Sequence, residues 1–413
     1  MTSGGEEIPF AADPDVSDAR RAAAGRETVA ARMRALLPEN RRRAAAAYAA
    51  GGLPDGQEVV RVWCPRDAAG LRARLGDARY AVWAEDDVLQ VLWSGEAERV
   101  ALGGGVQAPM WPVDGDPGLW EASLRVRRLD DAVITVFMVG LGAADVPFGQ
   151  RVTDMATWRG PHAVTLPEVE GPLAGEVRTH TIDSAALRGP REVTVYVPPG
   201  AAGPLPGCVL ADGESVPGFA RLLEPAIAAG TAPPVLLVGV HTAGDGPDRS
   251  KLRAQEYLPR HRPPRFAAHL SFVTDEVIPW AVSAFPVAPV SGGADRWIAA
   301  GFSNGAAWAI AAAQRRPEVF GGVAAFSAGV VPQRVMSRDV RYYLAAGTLE
   351  EGFRRATTQW ASRLRRAGVP YSHHEWPGGH DPYWWHRTLP DALRWLLATA
   401  QSRRRRASAE QLA

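Results

Sequence analysis

Arg296-Trp297-Ile298-Ala299-Ala300, then Gly301-Phe302-Ser303-Asn304-Gly305, then Ala306-Ala307-Trp308-Ala309-Ile310-Ala311-Ala312-Ala313: these three runs, end to end, set the fold class. The first is short and apolar, as a buried strand is. The last is alanine-rich and helical. Between them lies G-x-S-x-G, the pattern of a sharp strand-to-helix turn that presents a serine as nucleophile. Glycine flanks the serine because the turn leaves no room for neighbouring side chains. The helix starting beneath the hydroxyl aims its N-terminal dipole at developing negative charge.

Outward from this turn, residues 177–400 alternate strands and helices. Strands are expected at Glu192–Val197, Cys208–Ala211, Val235–Val240, Trp297–Gly301, Val323–Phe326, Arg341–Ala346 and Ser372–Trp376, and helices at Phe219–Ile227, Phe266–Phe285, Asn304–Arg315, Phe353–Arg366 and Thr388–Ala400. Continuous apolar strands separated by helices predict an α/β domain, a mostly parallel sheet with helices on both faces. Chemistry in such sheets gathers at the C-terminal ends of the strands.

Residues 56–145 read differently. Val59–Trp63, Tyr80–Trp83, Val88–Trp93, Leu119–Val126 and Ala132–Phe137 are β-branched and aromatic, with turn signals such as Asp114-Gly115-Asp116-Pro117-Gly118 between them. They predict an antiparallel, Ig-like β-sandwich preceding the α/β domain. Its tryptophans are read as packing rather than as a carbohydrate platform. Residues 1–55 form an Ala/Arg-rich extension, partly helical or disordered, in which Arg41-Arg42-Arg43 reads as a solvated run. Residues 146–176 are expected to be an interdomain linker and 401–413 a basic disordered tail.

Bulk properties exclude several classes. The chain has 413 residues, 46% hydrophobic, with net charge +1, so it is not a nucleic-acid binder by charge. Lys251 is its single lysine, a coding bias that discounts arginine clusters. Two cysteines, Cys64 and Cys208, exclude a disulfide framework and give no zinc-ligand spacing. No metal or cofactor is expected. Met1–Asp13 is polar and acidic without an apolar run, and no segment reaches membrane-span length, so a cytoplasmic protein without membrane contact is expected.

A nucleophilic Ser303 needs a base and an acid that orients it, in the chain order Ser, acid, His. His380, in Gly378-Gly379-His380-Asp381 after the last strand, is the expected base, with His386 next. His373 and His374 lie within the strand. The acid follows the strand Arg341–Ala346, at Glu350 or Glu351, which spacing does not separate. One oxyanion-hole N–H is expected from Asn304 and the other from Asp212-Gly213-Glu214, at Gly213 or Glu214, where a glycine lets the backbone approach substrate.

Several stretches together resemble the enterochelin (enterobactin) esterases. They are Gly118–Ala122, Met155–Val164 with Leu166-Pro167, Leu210–Glu214, Arg253-Ala254-Gln255-Glu256, Leu344–Glu350, and Gly378–Asp381 with Trp385 and Arg387. The resemblance spans roughly residues 60 to 398 and leaves out the N-terminal extension. Ala306 stands where family elbows often carry a second glycine. The resemblance implies a serine esterase that cleaves a catecholate siderophore for intracellular iron release, without a cofactor. Glu350 is then the acid, and the Ser303–His380–Glu350 triad acts on a small-molecule ester, including a ferric complex. Such a complex is anionic, so Arg249 and Arg253, in the loop after Val235–Val240, are expected to contact it, together with Glu214. The competing expectations are a carboxylesterase or acyltransferase for a carbohydrate or acylated metabolite, and a non-catalytic binding protein on a hydrolase scaffold.

Overall fold

The computed structural model describes residues 19–141, 150–151, 153–201, 203–244, 248–290 and 297–411. Arg296, at the head of the quoted stretch, lies outside the described residues, as do residues 1–18. The chain divides into two compact units, 1–129 with 136–158 and 130–135 with 159–413.

The first unit opens with helix α1 (Ala19–Ala49), followed by β1 (Val59–Val62), α2 (Ala68–Leu75), β2 (Tyr80–Glu85), β3 (Val88–Ser94), β4 (Arg99–Gly104), β5 (Ala108–Val113), β6 (Asp116–Val126), β7 (Val133–Leu141), β8 (Gln150–Arg151) and β9 (Ala156–Arg159). The strands run in the order β2-β3-β6-β5-β4-β7-β8, with β1 on β6 and β9 on β7, and every register recorded is antiparallel. Five elements were not expected here, among them β8 and β9, which pair with β7 within the 146–176 stretch read as a linker. Helix α2 packs Leu71 and Leu75 against Leu92, Val113 and Leu119. Strands β4 and β5 carry Gly103-Gly104 and two prolines, Pro109 and Pro112, which erase the usual strand signal. Trp93 and Trp120 face one another across β3 and β6 and are buried, so they are packing residues. The run Arg41-Arg42-Arg43 is not uniformly solvated. Arg41 is buried, bonds Asp114 at 2.5 Å and lies over the Trp63 ring at 5.0 Å, because α1 turns that face toward β5.

The second unit contains β10 (Glu176–Ser184), β11 (Gly189–Val197), β12 (Gly207–Ala211), α3 (Val216–Ala228), β13 (Leu236–Val240), α4 (Arg249–Tyr257), α5 (Pro263–Ser271), α6 (Ile278–Ala284), β14 (Trp297–Phe302), α7 (Asn304–Arg315), β15 (Phe320–Phe326), β16 (Arg341–Gly347), α8 (Glu351–Ala367), β17 (Tyr371–Trp376) and α9 (Pro382–Gln411). A π-helical turn, Phe272–Val277, joins α5 to α6. The sheet order is β10-β11-β13-β12-β14-β15-β16-β17. The pairs β10·β11 and β11·β13 are antiparallel, and the pairs from β13 to β17 are parallel. Helix α9 starts at Pro382, before the expected Thr388, and continues through Gln411, past the Ala400 at which a tail was expected.

Period-two alternation feeds two cores. Val209, Val238 and Ala299 point to one face, with Phe266, Phe272, Trp308 and Trp360. Leu210, Leu237 and Ala300 point to the other, with Phe219, Trp384 and Leu393. Both faces are covered by helices, which is why the strands read as unbroken apolar runs. Each fully buried leucine, isoleucine or phenylalanine contributes about 1.5–3 kcal/mol. The consequence for the site is rigidity, because the strand ends that carry it grow out of these cores.

Candidate active site

Ser303 sits between the end of β14 and the start of α7 with φ 56° and ψ −125°. A non-glycine residue held there is strained, by about 1–3 kcal/mol, and persists because its surroundings fix it. Its N–H donates to the Phe326 carbonyl at 2.9 Å, and its carbonyl accepts from Ala306 at 3.1 Å. A Cβ on Gly301 would come within 2.5 Å of the Gly305 carbonyl carbon, so the glycine is required by the backbone crossing itself. Asn304 is the first residue of α7, and its backbone N–H has no carbonyl partner within the helix.

Two strands further along, Glu350 follows β16. Its side chain is 3% exposed, whereas Glu351 is 90% exposed and lies near Arg355, so burial separates the two neighbours. Glu350 Oε2 is 2.7 Å from His380 Nδ1. Its Oε1 accepts from the Ser327 hydroxyl and from the Gly347 N–H, each at 2.6 Å. His380 lies in the loop between β17 and α9. Phe353 stacks on its ring at 4.1 Å, and Trp385 meets it edge-on at 4.8 Å. Trp385 also stacks on Phe302, next to the serine, at 4.3 Å. These contacts tie the end of β14 to His380. Buried Asp381 anchors the loop by accepting from the Tyr383 N–H at 2.9 Å, and burial pushes its pKa up.

The other histidines stand apart from this cluster. His386, the second candidate base, packs edge-on against Phe219 of α3 at 4.5 Å. Desolvation there pushes its pKa down to about 4. His374 stacks on Tyr343 at 4.7 Å and shares a hydrogen bond with Ser372. Burial lowers the pKa of His373 as well.

After β12, Asp212 adopts a left-handed conformation with φ 61° and starts the 3-10 turn Gly213–Ser215. A Cβ on Gly213 would collide with the Gly239 backbone of β13, so that glycine serves close packing between neighbouring segments. The Asp212 N–H donates to the Tyr257 hydroxyl at 2.9 Å, and its carboxylate takes two 2.6 Å bonds from Arg253. Arg249 pairs with Glu214 and donates to Thr242 at 3.0 Å. Both arginines expected to meet an anionic substrate therefore already hold carboxylates. They lie on α4, not on a loop. Its sequence was obscured by polar residues, and its fold is secured by Glu256, fully buried between Arg191 at 2.9 Å and Arg265 at 3.2 Å. Replacing Arg253 by alanine is expected to cost about 3 kcal/mol of stability, because it strands the Asp212 carboxylate. A thermal melt checks this. An unchanged melt with a raised KM would place Arg253 on substrate instead.

Among the described residues no cluster of three or more His, Cys, Asp or Glu is arranged to hold a metal ion. No described helix is long and apolar enough to cross a membrane. Residues 184–396, just over half the chain, match the family described as "Putative esterase".

The chain belongs to this esterase family.

The esterase also resembles solved structures across both units. The enterobactin esterase of Shigella flexneri, crystallised in the presence of enterobactin, is 19% identical with a TM-score of 0.58, covering 81% of this chain and 100% of its own. The ferric enterobactin esterase of Salmonella typhimurium is 15% identical with a TM-score of 0.58, covering 79% and 99%. At such identities the likeness establishes the fold. No curated protein matches the chain.

Sequence reasoning missed Ser327 and gave Trp385 no role. Ser327 carries no local motif, and its one signal is spatial, a positive φ of 54°.

Proposed function

We propose that this esterase uses a Ser303–His380–Glu350 triad to hydrolyse ester bonds of a catecholate siderophore, in its iron-free or ferric form, in the cytoplasm. The observation that carries the chemistry is the 2.7 Å Glu350–His380 pair after β16 and β17, linked to the end of β14 by Trp385, which touches both His380 and Phe302. His380 Nε2 takes the proton of Ser303, whose Oγ attacks the ester carbonyl. The N–H groups of Asn304 and Gly213 receive the tetrahedral oxyanion, each donor contributing about 3–4 kcal/mol. His380 passes its proton to the departing alcohol, and water then attacks the acyl-enzyme by the same steps in reverse. Arg249 and Glu214 form a rim toward substrate, and Arg253 acts one layer behind it through Asp212. We read the antiparallel first unit as an Ig-like sandwich and the second as an α/β-hydrolase domain. Substrate class is supported by the likeness to two enterobactin esterases in both units.

Mass-spectrometric product analysis with ferric and iron-free catecholate trilactones tests the proposal. Linear hydroxyacid fragments are the expected products. Turnover of feruloyl or acetyl sugars but not of trilactones would move the substrate to another ester class. A folded protein that turns over neither, and that no fluorophosphonate labels at Ser303, would be a binding protein on this scaffold.

A further inference from the structure

We infer that Ser327 and Trp385 form a hydroxyl–indole brace that positions the Glu350–His380 pair, making Ser327 a positioning residue for ester hydrolysis. The inference rests on the catalytic reading of Ser303, His380 and Glu350.

Ser327 is the first residue after β15 and is fully buried. Its φ is 54°, a region that glycine, asparagine and aspartate enter more readily than serine. A serine kept in that conformation, at a strand end beside the site, points to use of its hydroxyl. The hydroxyl has two partners. It donates to Glu350 Oε1 at 2.6 Å and accepts from the Trp385 indole N–H at 2.9 Å. The Ser327 backbone N–H donates to Ala345 at 2.8 Å, which pins the residue between β15 and β16.

The acid is thereby held from both ends. Ser327 and Gly347 occupy Oε1, leaving Oε2 to face His380 Nδ1 at 2.7 Å. Trp385 does the matching work on the base. Its ring contacts the His380 ring, and it stacks on Phe302 with 10° between the planes. A single indole thus touches the residue before the nucleophile and the base, and reaches the acid through one hydroxyl. Burial of Ser327, with its proton committed to Glu350, leaves it no role as a second nucleophile.

The test uses p-nitrophenyl acetate with the full chain and the variants Ser327→Gly, Trp385→Phe, Glu350→Gln and Glu350→Gln/Ser327→Gly. Glycine suits the positive φ and removes the small hydroxymethyl group that carries the hydroxyl, so Ser327→Gly is expected to lower kcat by about 10- to 100-fold with KM within about twofold. Because Ser327 acts through Glu350, the double variant is expected to fall no more than about twofold below Glu350→Gln. If Ser327→Gly proves unfolded in a circular-dichroism melt, Trp385→Phe carries the reading, since it removes the indole donor and leaves the Ser327 backbone; a drop in kcat of about threefold or more supports the brace. A Ser327→Gly kcat within twofold of wild type, or an equal loss in the Glu350→Gln background, overturns the inference alone. A wild type without Ser303-dependent turnover overturns the catalytic reading and the inference together.

Discussion

Ser303→Ala is expected to lower kcat for ester hydrolysis by about 10⁶, with the fold intact. The size follows from the triad acting as a unit: without an oxygen to attack, His380 has no proton to take and Glu350 no imidazolium to stabilise. What remains is binding and the oxyanion donors, which alone give about 10³–10⁴ over water. The fold should survive because alanine keeps the Cβ that Ser303 already carries at φ 56°, so the strain of the turn is unchanged. The Ser303 backbone N–H still reaches Phe326 in the variant, since that bond involves no side chain. Steady-state kinetics on a p-nitrophenyl ester and labelling by a fluorophosphonate measure the effect, with a thermal melt as control. A loss of less than tenfold in a folded variant would remove Ser303 from the nucleophile's place.

The contrast between what the sequence showed and what it hid follows burial. Apolar strands such as Leu236–Val240 and Trp297–Phe302 are covered on both faces, so composition alone marks them. The positions of Ser303 and Glu350 were legible for the same reason, because each follows one such buried strand, whereas His380 follows the edge strand β17, with one buried residue, and was marked by Gly378-Gly379 instead. Strand β10 was not, since it lies at the sheet edge with most of its residues exposed or half-exposed and carries no apolar run. Helix α4 was hidden by its polar residues, of which Arg249, Arg253 and Glu256 find partners on other segments that make a helix from a sequence that reads as a loop. Glu350 and Glu351 show the limit most simply. Their spacing to His380 differs by one residue, and only the structure puts one inside and the other in solvent. Gly213 carries a further constraint that the sequence does not display, since a Cβ there would meet the Gly239 backbone of β13.

Glu350→Gln is expected to lower kcat by about 10⁴, while Glu351→Gln leaves it within about twofold. The loss has a specific cause in this site. A glutamine at 350 carries one carbonyl oxygen and one amide nitrogen, and the donors around it decide which goes where. The Ser327 hydroxyl and the Gly347 N–H both point at the Oε1 position, which must therefore hold the oxygen. The amide nitrogen is then forced to the Oε2 position, 2.7 Å from His380 Nδ1 in the native pair. Two donors cannot share that hydrogen bond, so the imidazole shifts to the tautomer with Nδ1 unprotonated and Nε2 protonated. An Nε2–H cannot accept the proton of Ser303. Activity is lost although no side chain has moved and no volume has changed, and KM should stay close to its wild-type value. Glu351, 90% exposed, faces none of these groups. Parallel kinetics on the two isosteric variants decide the matter. A large loss in Glu351→Gln with little in Glu350→Gln would transfer the acid to the outer residue, and equal small losses would leave His380 working without an acid partner.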